Sequence, residues 1–152
     1  MNSEDRQGQM YVIDASIHVA GARPQEPNHR EARMLLANIA TEGHPVYLPE
    51  IVLAEVAAVI SRGTCRIQVV ERLAATLRRI PHFVYVSVDA TLGDRATQIS
   101  GKYQIRGCDA VYVALALERG ATLITLDRQQ RKRVPTGIVA RTPTEELAAR
   151  GW

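Results

Sequence analysis

Four acidic residues stand where a carboxylate is costly to bury. Asp14 closes the apolar run Tyr-Val-Ile, and Asp127 closes Ala-Thr-Leu-Ile-Thr-Leu. Glu55 is flanked by Leu53, Ala54, Val56, Ala57 and Ala58, and Asp109 opens the stretch Ala-Val-Tyr-Val-Ala-Leu-Ala. Each needs a cation or hydrogen-bond donors to receive it. Taken singly, each also has a purely structural explanation. Asp109 suits the first turn of a helix, and Glu55 suits an arginine on a neighbouring helix. Asp14 can cap a loop with Ser16, and Asp127 can form a turn with Arg128 and Gln129. Taken together they point to chemistry. Clustered carboxylates raise one another's pKa and stay ionised together only with cations between them. Oxygen-only ligation selects Mg²⁺ or Mn²⁺ over zinc. One or two such ions are enough to hydrolyse a phosphodiester, without any histidine.

The surrounding sequence supplies the elements that would bring these acids together. Met10 to Asp14 reads as a strand buried on both faces. A helix follows from Asn28, its candidate cap, to a stop at Gly43, and a short strand spans Pro45 to Pro49. Glu50 to Gly63 reads as a helix carrying Glu55, and a second helix runs from Arg66 to Ile80. In the latter, Ile67, Val70, Leu73, Ala74 and Leu77 form one apolar stripe. Phe83 to Val88 is a strand, and Asp89 caps a helix that ends at Gly101. Cys108 to Gly120 is a helix with Asp109 in its first turn. Ala121 to Asp127 is a strand, Gly137 to Ala140 a short one, and Thr144 caps a final helix. The alternation β-α-β-α-α-β-α-α-β-α-β-α implies a largely parallel sheet with helices on both faces, a three-layer α/β/α sandwich. In such sheets the ligand crevice lies outside the carboxyl ends of the strands, where Asp14 and Asp127 fall.

Four motifs in order carry a resemblance. Val-Ile-Asp14-Ala-Ser16, Leu-Ala-Glu55-Val, Gly-Cys-Asp109-Ala-Val-Tyr-Val-Ala-Leu-Ala and Leu-Ile-Thr125-Leu-Asp127 resemble the PIN domain, in particular the compact VapC-type endoribonuclease toxins of type II toxin-antitoxin systems. The likeness extends from about Met10 to Ala140. It implies a PIN-like fold and an acidic pocket of Asp14, Glu55, Asp109 and Asp127 holding Mg²⁺ or Mn²⁺. It further implies endonucleolytic cleavage of RNA, a homodimer and a cognate antitoxin protein. Ser16 and Thr125 fall at the family's small hydroxyl positions, where they would orient the acids or a metal-bound water. Arg106 and Arg128 flank two of the acids and are the first candidates for phosphate contacts. Arg128 reads equally as solvated charge, and the run Arg128, Arg131, Lys132, Arg133 equally as an exposed turn.

Composition agrees with this reading and limits others. The chain has 152 residues, 46% hydrophobic and 23% charged, enough for one domain with its own core. Residues 1–9 read as a polar, flexible tail and 10–152 as a single domain. No apolar run approaches the ~20 residues needed to span a bilayer, so a cytoplasmic protein without membrane contact is expected. The two cysteines, Cys65 and Cys108, match no disulfide or zinc spacing, and Cys108 has no histidine in an obvious pairing position. The formal net charge is +3, and all but two of the 19 basic residues are arginine, the residue that pairs bidentately with phosphate. Assigning four of the 16 acids to a cation-filled pocket leaves the remaining surface more basic than +3 suggests. The histidines, His18, His29, His44 and His82, fall outside the four motifs and are expected at the surface. A phosphoacceptor receiver would need a lysine at the end of a late strand, but Lys102 and Lys132 lie elsewhere. A haloacid-dehalogenase-type phosphatase would need an Asp where Ser16 stands. A PIN-like module that binds without cutting would tolerate loss of an acid, and all four are present.

Overall fold

A computed structural model describes residues 8–152. Residues 1–7 of the expected tail lie outside the described residues. The elements are β1 (Tyr11–Ile13), α1 (Ala15–Ala22), α2 (His29–Glu42), β2 (Val46–Pro49), α3 (Ile51–Thr64), α4 (Ile67–Arg78), β3 (Phe83–Val86), α5 (Ala90–Tyr103), α6 (Gly107–Arg119), β4 (Thr122–Ile124), α7 (Arg128–Arg133), β5 (Ala140–Arg141) and α8 (Pro143–Arg150).

The strands form one parallel sheet in the order β3-β2-β1-β4-β5. Strands of a parallel sheet covered by helices on both faces must be apolar on both. Tyr11, Val12 and Ile13 of β1 are fully buried, as are Leu123 and Ile124 of β4. The chain steps outward from β1 to β2 to β3, then returns across the sheet to β4 and β5. Right-handed crossovers therefore put α1 to α4 on one face and α5 to α7 on the other. Helix α6 lies across β1, β2 and β4 with α5 against it, while α8 folds back to pack on α2. The three-layer α/β/α sandwich expected from the alternation is the fold observed.

The point where strand order reverses lies between β1 and β4, and it organises everything that follows. Tyr11 pairs with Thr122, Val12 with Leu123 and Ile13 with Ile124. This in-register pairing brings the residues after both strands, Asp14 and Thr125 to Asp127, to one edge. Behind them the core is tied to the last helix. The Glu146 carboxylate is fully buried and accepts hydrogen bonds from Tyr11 Oη at 2.7 Å and Arg141 Nη1 at 2.6 Å. A buried carboxylate requires such partners.

Several boundaries differ from expectation. Helix α1 starts directly after Asp14, where a loop to Asn28 was expected. Its residues Ile17 to Gly21 are all buried, so it shows no polar face and no amphipathic period. Gly21 lets α1 approach α2: a Cβ there would sit 3.1 Å from Leu36 Cδ1. Gly43 and Gly120 stop α2 and α6 in the left-handed conformation, as expected. Asn28 precedes α2 but makes no side-chain cap. Helix α3 runs past Gly63 to a left-handed Cys65, and α5 past Gly101 to a left-handed Gln104. Asp89 caps α5 through Leu92 N at 2.9 Å. Helix α8 is capped by Thr142 rather than Thr144. Thr142 Oγ1 accepts from Glu145 N, and Glu145 Oε2 accepts in turn from Thr142 N, a reciprocal capping box. The last strand is Ala140–Arg141, starting three residues later than expected, and Gly137 takes φ +98 in the preceding turn.

The apolar stripe of α4 is only half covered. Leu77 is buried, while Ile67 is 60% exposed. With α1, α2 and the start of β3, this helix borders an apolar groove of about 730 Å³ that contains none of the four acids. Two histidines also depart from the surface role expected of them. His18 and His44 are buried, at 4% and 5% exposure, His18 against Phe83 and His44 between Tyr11 and Trp152.

Candidate active site

Asp14 is the most deeply held of the four acids. It ends β1 and caps α1, with 5% of its surface exposed. Its Oδ1 accepts from Ser16 N at 2.7 Å and also from Ser16 Oγ. Its Oδ2 accepts from Thr125 Oγ1 at 2.6 Å. The same hydroxyls then receive backbone amides from the next turn: Leu126 N donates to Ser16 Oγ at 3.2 Å, and Asp127 N to Thr125 Oγ1 at 3.0 Å. Ser16 and Thr125 thus stitch the ends of β1 and β4 together around the Asp14 carboxylate. Burial still dominates, pushing the Asp14 pKa above the usual carboxylate range despite these donors.

Asp127 caps α7, its Oδ1 accepting from Gln129 N at 2.8 Å and Gln130 N at 3.0 Å. That cap makes the basic run 128–133 a helix instead of an exposed turn. Asp109 stands in the first turn of α6, and its backbone carbonyl accepts from Gln130 Nε2 at 3.1 Å, which fixes α6 to α7. Glu55 lies in the middle of α3 and accepts a hydrogen bond from Tyr112 Oη of α6. Desolvation raises the Glu55 pKa, and the charges of Asp14 and Asp109 add to it. The Tyr112 hydroxyl is pushed far up by burial and by Glu55, so it remains a donor.

All four acids line one cleft of about 520 Å³, together with Ser16, Arg106 and Tyr112. Among the described residues, no three acidic, histidine or cysteine side chains converge tightly enough to cage an ion. The cleft instead holds an internal cation. Arg106 Nε donates to Asp109 Oδ2 at 2.7 Å and Nη2 to Asp127 Oδ2 at 2.9 Å. The donor set is entirely oxygen, it concentrates negative charge in a poorly solvated space, and a guanidinium already stands between two of its members. These properties fit a hard divalent cation. Any of the four carboxylates could serve as a ligand.

Arg106 therefore sits at the cleft. Arg128 is exposed at the start of α7 and is not among the cleft-lining residues. Cys108 is exposed at the start of α6. None of the four histidines lines the cleft. Sequence reasoning missed Tyr112, Glu26 and Arg62. Two of these carry a helical signal: Tyr112 is three residues after Asp109, and Arg62 is seven after Glu55, on the same helix faces. Glu26 lies in the loop after α1, paired to Arg23 at 3.1 Å, and no pattern marks it.

A parallel α/β sandwich with carboxylates from four elements gathered at its switch point defines an α/β protein with an acidic, oxygen-lined cleft. Comparison places it more narrowly. The sequence matches the PIN domain over residues 11–134, and the chain belongs to that family. No curated protein matches it. Solved structures share the fold at low identity. Mycobacterium tuberculosis VapC20, described as a sarcin-ricin loop cleaving toxin, is 18% identical with a TM-score of 0.69, covering 85% of this chain and 98% of its own. FitAcB from Neisseria gonorrhoeae is 19% identical with a TM-score of 0.68, covering 89% and 99%. A chain of VapBC2 from Rickettsia felis, solved bound to a promoter DNA fragment, is 16% identical with a TM-score of 0.67, covering 88% and 98%.

Proposed function

We propose that this PIN domain is a divalent-metal-dependent endoribonuclease, the toxin of a toxin-antitoxin pair, working in the cytoplasm. The observation that carries this reading is the convergence of Asp14, Glu55, Asp109 and Asp127, from four separate elements, on one cleft at the β1/β4 switch point. The acids would hold one or two Mg²⁺ or Mn²⁺ ions. When bound, such an ion activates a water for in-line attack and stabilises charge on the leaving oxygen.

The chain's own residues do the rest. Ser16 and Thr125 fix the rotamer of Asp14, so that carboxylate arrives preorganised. Tyr112 does the same for Glu55 by donating from α6. Asp127 commits one oxygen to the amides of α7 and keeps the other facing the cleft. Among the described residues the cleft lining includes no histidine, so the proposed chemistry is assigned to the carboxylates and the ions they would hold. Arg62 and Arg106 supply positive charge at the walls for a scaffold phosphate. RNA is the proposed substrate. The partners proposed are a cognate antitoxin, supported by VapBC and FitAB complexes among the structures of similar fold, and a second copy of the chain.

The test is Mn²⁺-dependent cleavage of a panel of structured RNAs by wild type, Asp14→Asn and Asp109→Asn, each checked for folding. Wild type cuts, chelator stops it, and both variants lose at least about 100-fold in rate, the scale of removing a group that organises transition-state charge. Variants that cut as well as wild type would refute the site.

A further inference from the structure

Arg106 makes an unusual pair of contacts for so exposed a residue. It occupies the N-cap position of α6 with extended backbone, and its side chain turns back over the first turn of its own helix. There it bridges two acids from different elements, Asp109 three residues on and Asp127 at the start of α7, 21 residues away. Both contacts fall on Oδ2 atoms. Asp127 Oδ1 is occupied by two α7 amides, so Oδ2 is the oxygen it has left to offer. The Arg106 side chain is nevertheless 78% exposed, against 14% and 26% for its partners. The acids are fixed by the fold, whereas the cation between them is held only by its own flexible stem. Ion pairs this exposed are weak.

We propose that Arg106 is a placeholder cation. In the metal-free protein it neutralises Asp109 and Asp127 and keeps them together, and it competes with the incoming divalent ion for the same Oδ2 atoms. Once displaced, its guanidinium lies at the cleft mouth, free to take a phosphate oxygen of the RNA. This inference rests on the cleft being a metal site. It adds that the site carries its own competitor, so metal affinity is set below what the carboxylates alone would give.

The charge logic runs in one direction. Removing Arg106 takes away the competitor and leaves the carboxylates mutually repelling, and both changes favour the ion. Lysine at the same position keeps the charge but cannot span two carboxylates as a fork. Its competition is correspondingly weaker.

The experiment is calorimetric titration of Mn²⁺ into wild type, Arg106→Gln and Arg106→Lys, with melting temperatures measured with and without Mn²⁺. Arg106→Gln binds Mn²⁺ about 3- to 10-fold more tightly than wild type, the worth of two exposed ion pairs, and Arg106→Lys falls between them. Without metal, Arg106→Gln melts a few degrees lower, by about 2–4 °C; with saturating Mn²⁺ the difference closes. RNA binding by the Mn²⁺-loaded variant is weaker than that of the wild type. Equal or weaker Mn²⁺ binding by Arg106→Gln overturns the inference while leaving the metal site standing. Wild type that binds no Mn²⁺ at millimolar concentration overturns both.

Discussion

Replacing Thr125 with valine tests whether the hydroxyl stitch between β1 and β4 holds the site together. The substitution preserves shape at a position with 0% exposure and removes only the hydroxyl. Two polar groups then lose their partner: Asp14 Oδ2, bonded at 2.6 Å, and the Asp127 amide, bonded at 3.0 Å. Each buried group left unsatisfied costs about 1–3 kcal/mol, more when charged, so the total is about 2–5 kcal/mol. For a domain of this size, that lowers the melting temperature by roughly 5–15 °C. The loss carries a pH signature. Burial already holds the Asp14 pKa above its unfolded value, and losing a donor raises it further. Between the unfolded and folded pKa the native state binds the extra proton, so stability from this group falls as pH rises through the window. The Thr125→Val deficit is therefore largest at pH 8 and shrinks towards pH 5. Thr125→Ser, which keeps the hydroxyl, loses only about 1 kcal/mol for the buried methyl. The assay is thermal melting of the three proteins at pH 5 and pH 8 in chelator. A deficit independent of pH, or equal for serine and valine, would show that packing rather than the hydrogen bond is responsible.

The remaining predictions concern groups at and away from the cleft. His18 is buried, its Nε2 has no hydrogen-bond partner among the described residues, and burial holds its pKa at about 4. The unfolded chain protonates first, so as pH falls from about 6.5 to 4 the protein loses up to about 3 kcal/mol. His18→Leu should flatten that slope in urea melts, and an unchanged slope would assign it elsewhere. Tyr112→Phe removes the donor to Glu55, which raises the Glu55 pKa further. The expected result is several-fold weaker Mn²⁺ binding at pH 6 and a smaller effect at pH 8; calorimetry at the two pH values would contradict this if the effects were equal.

The acids were legible because each breaks an apolar pattern at a place where the pattern alone predicts an element's end or a helix face. Asp14 and Asp127 follow apolar strand-like runs, and a parallel sheet brings the ends of such runs to one edge, although β4 itself stops at Ile124 and Asp127 caps α7. Helix α1 was illegible for the complementary reason. With Ile17 to Gly21 all buried it has no polar face, and periodicity detects only helices that are half wet. His18 shares that fate: a histidine inside an unrecognised buried helix reads as a loop residue. Arg106 was placed at the pocket but read as facing phosphate. Its bond to Asp127 spans 21 residues, and that distance is closed only by the fold, which brings the starts of α6 and α7 together where Gln130 bonds the Asp109 carbonyl. The capping of α8 was missed by two positions because Thr142 and Thr144 both precede acids, and Pro143 between them marks the first helical turn. The exposure of α4 depends on what its neighbours leave uncovered, which its own stripe does not record.

The hydroxyl stitch and the peripheral position of α3 divide the cleft mechanically. Asp14 is bound across the innermost strand pair, and Asp109 and Asp127 are joined through Gln130, so these three belong to the unit that opens last. Glu55 rides on α3, whose outer neighbour α4 buries little. Hydrogen exchange should divide along the same line, with the amides of β1 and β4 protected up to global unfolding and those of α4 and the outer turns of α3 released far earlier. On that expectation three walls of the cleft share the lifetime of the fold, and the fourth, held to α6 through Tyr112 and Glu55, is released earlier.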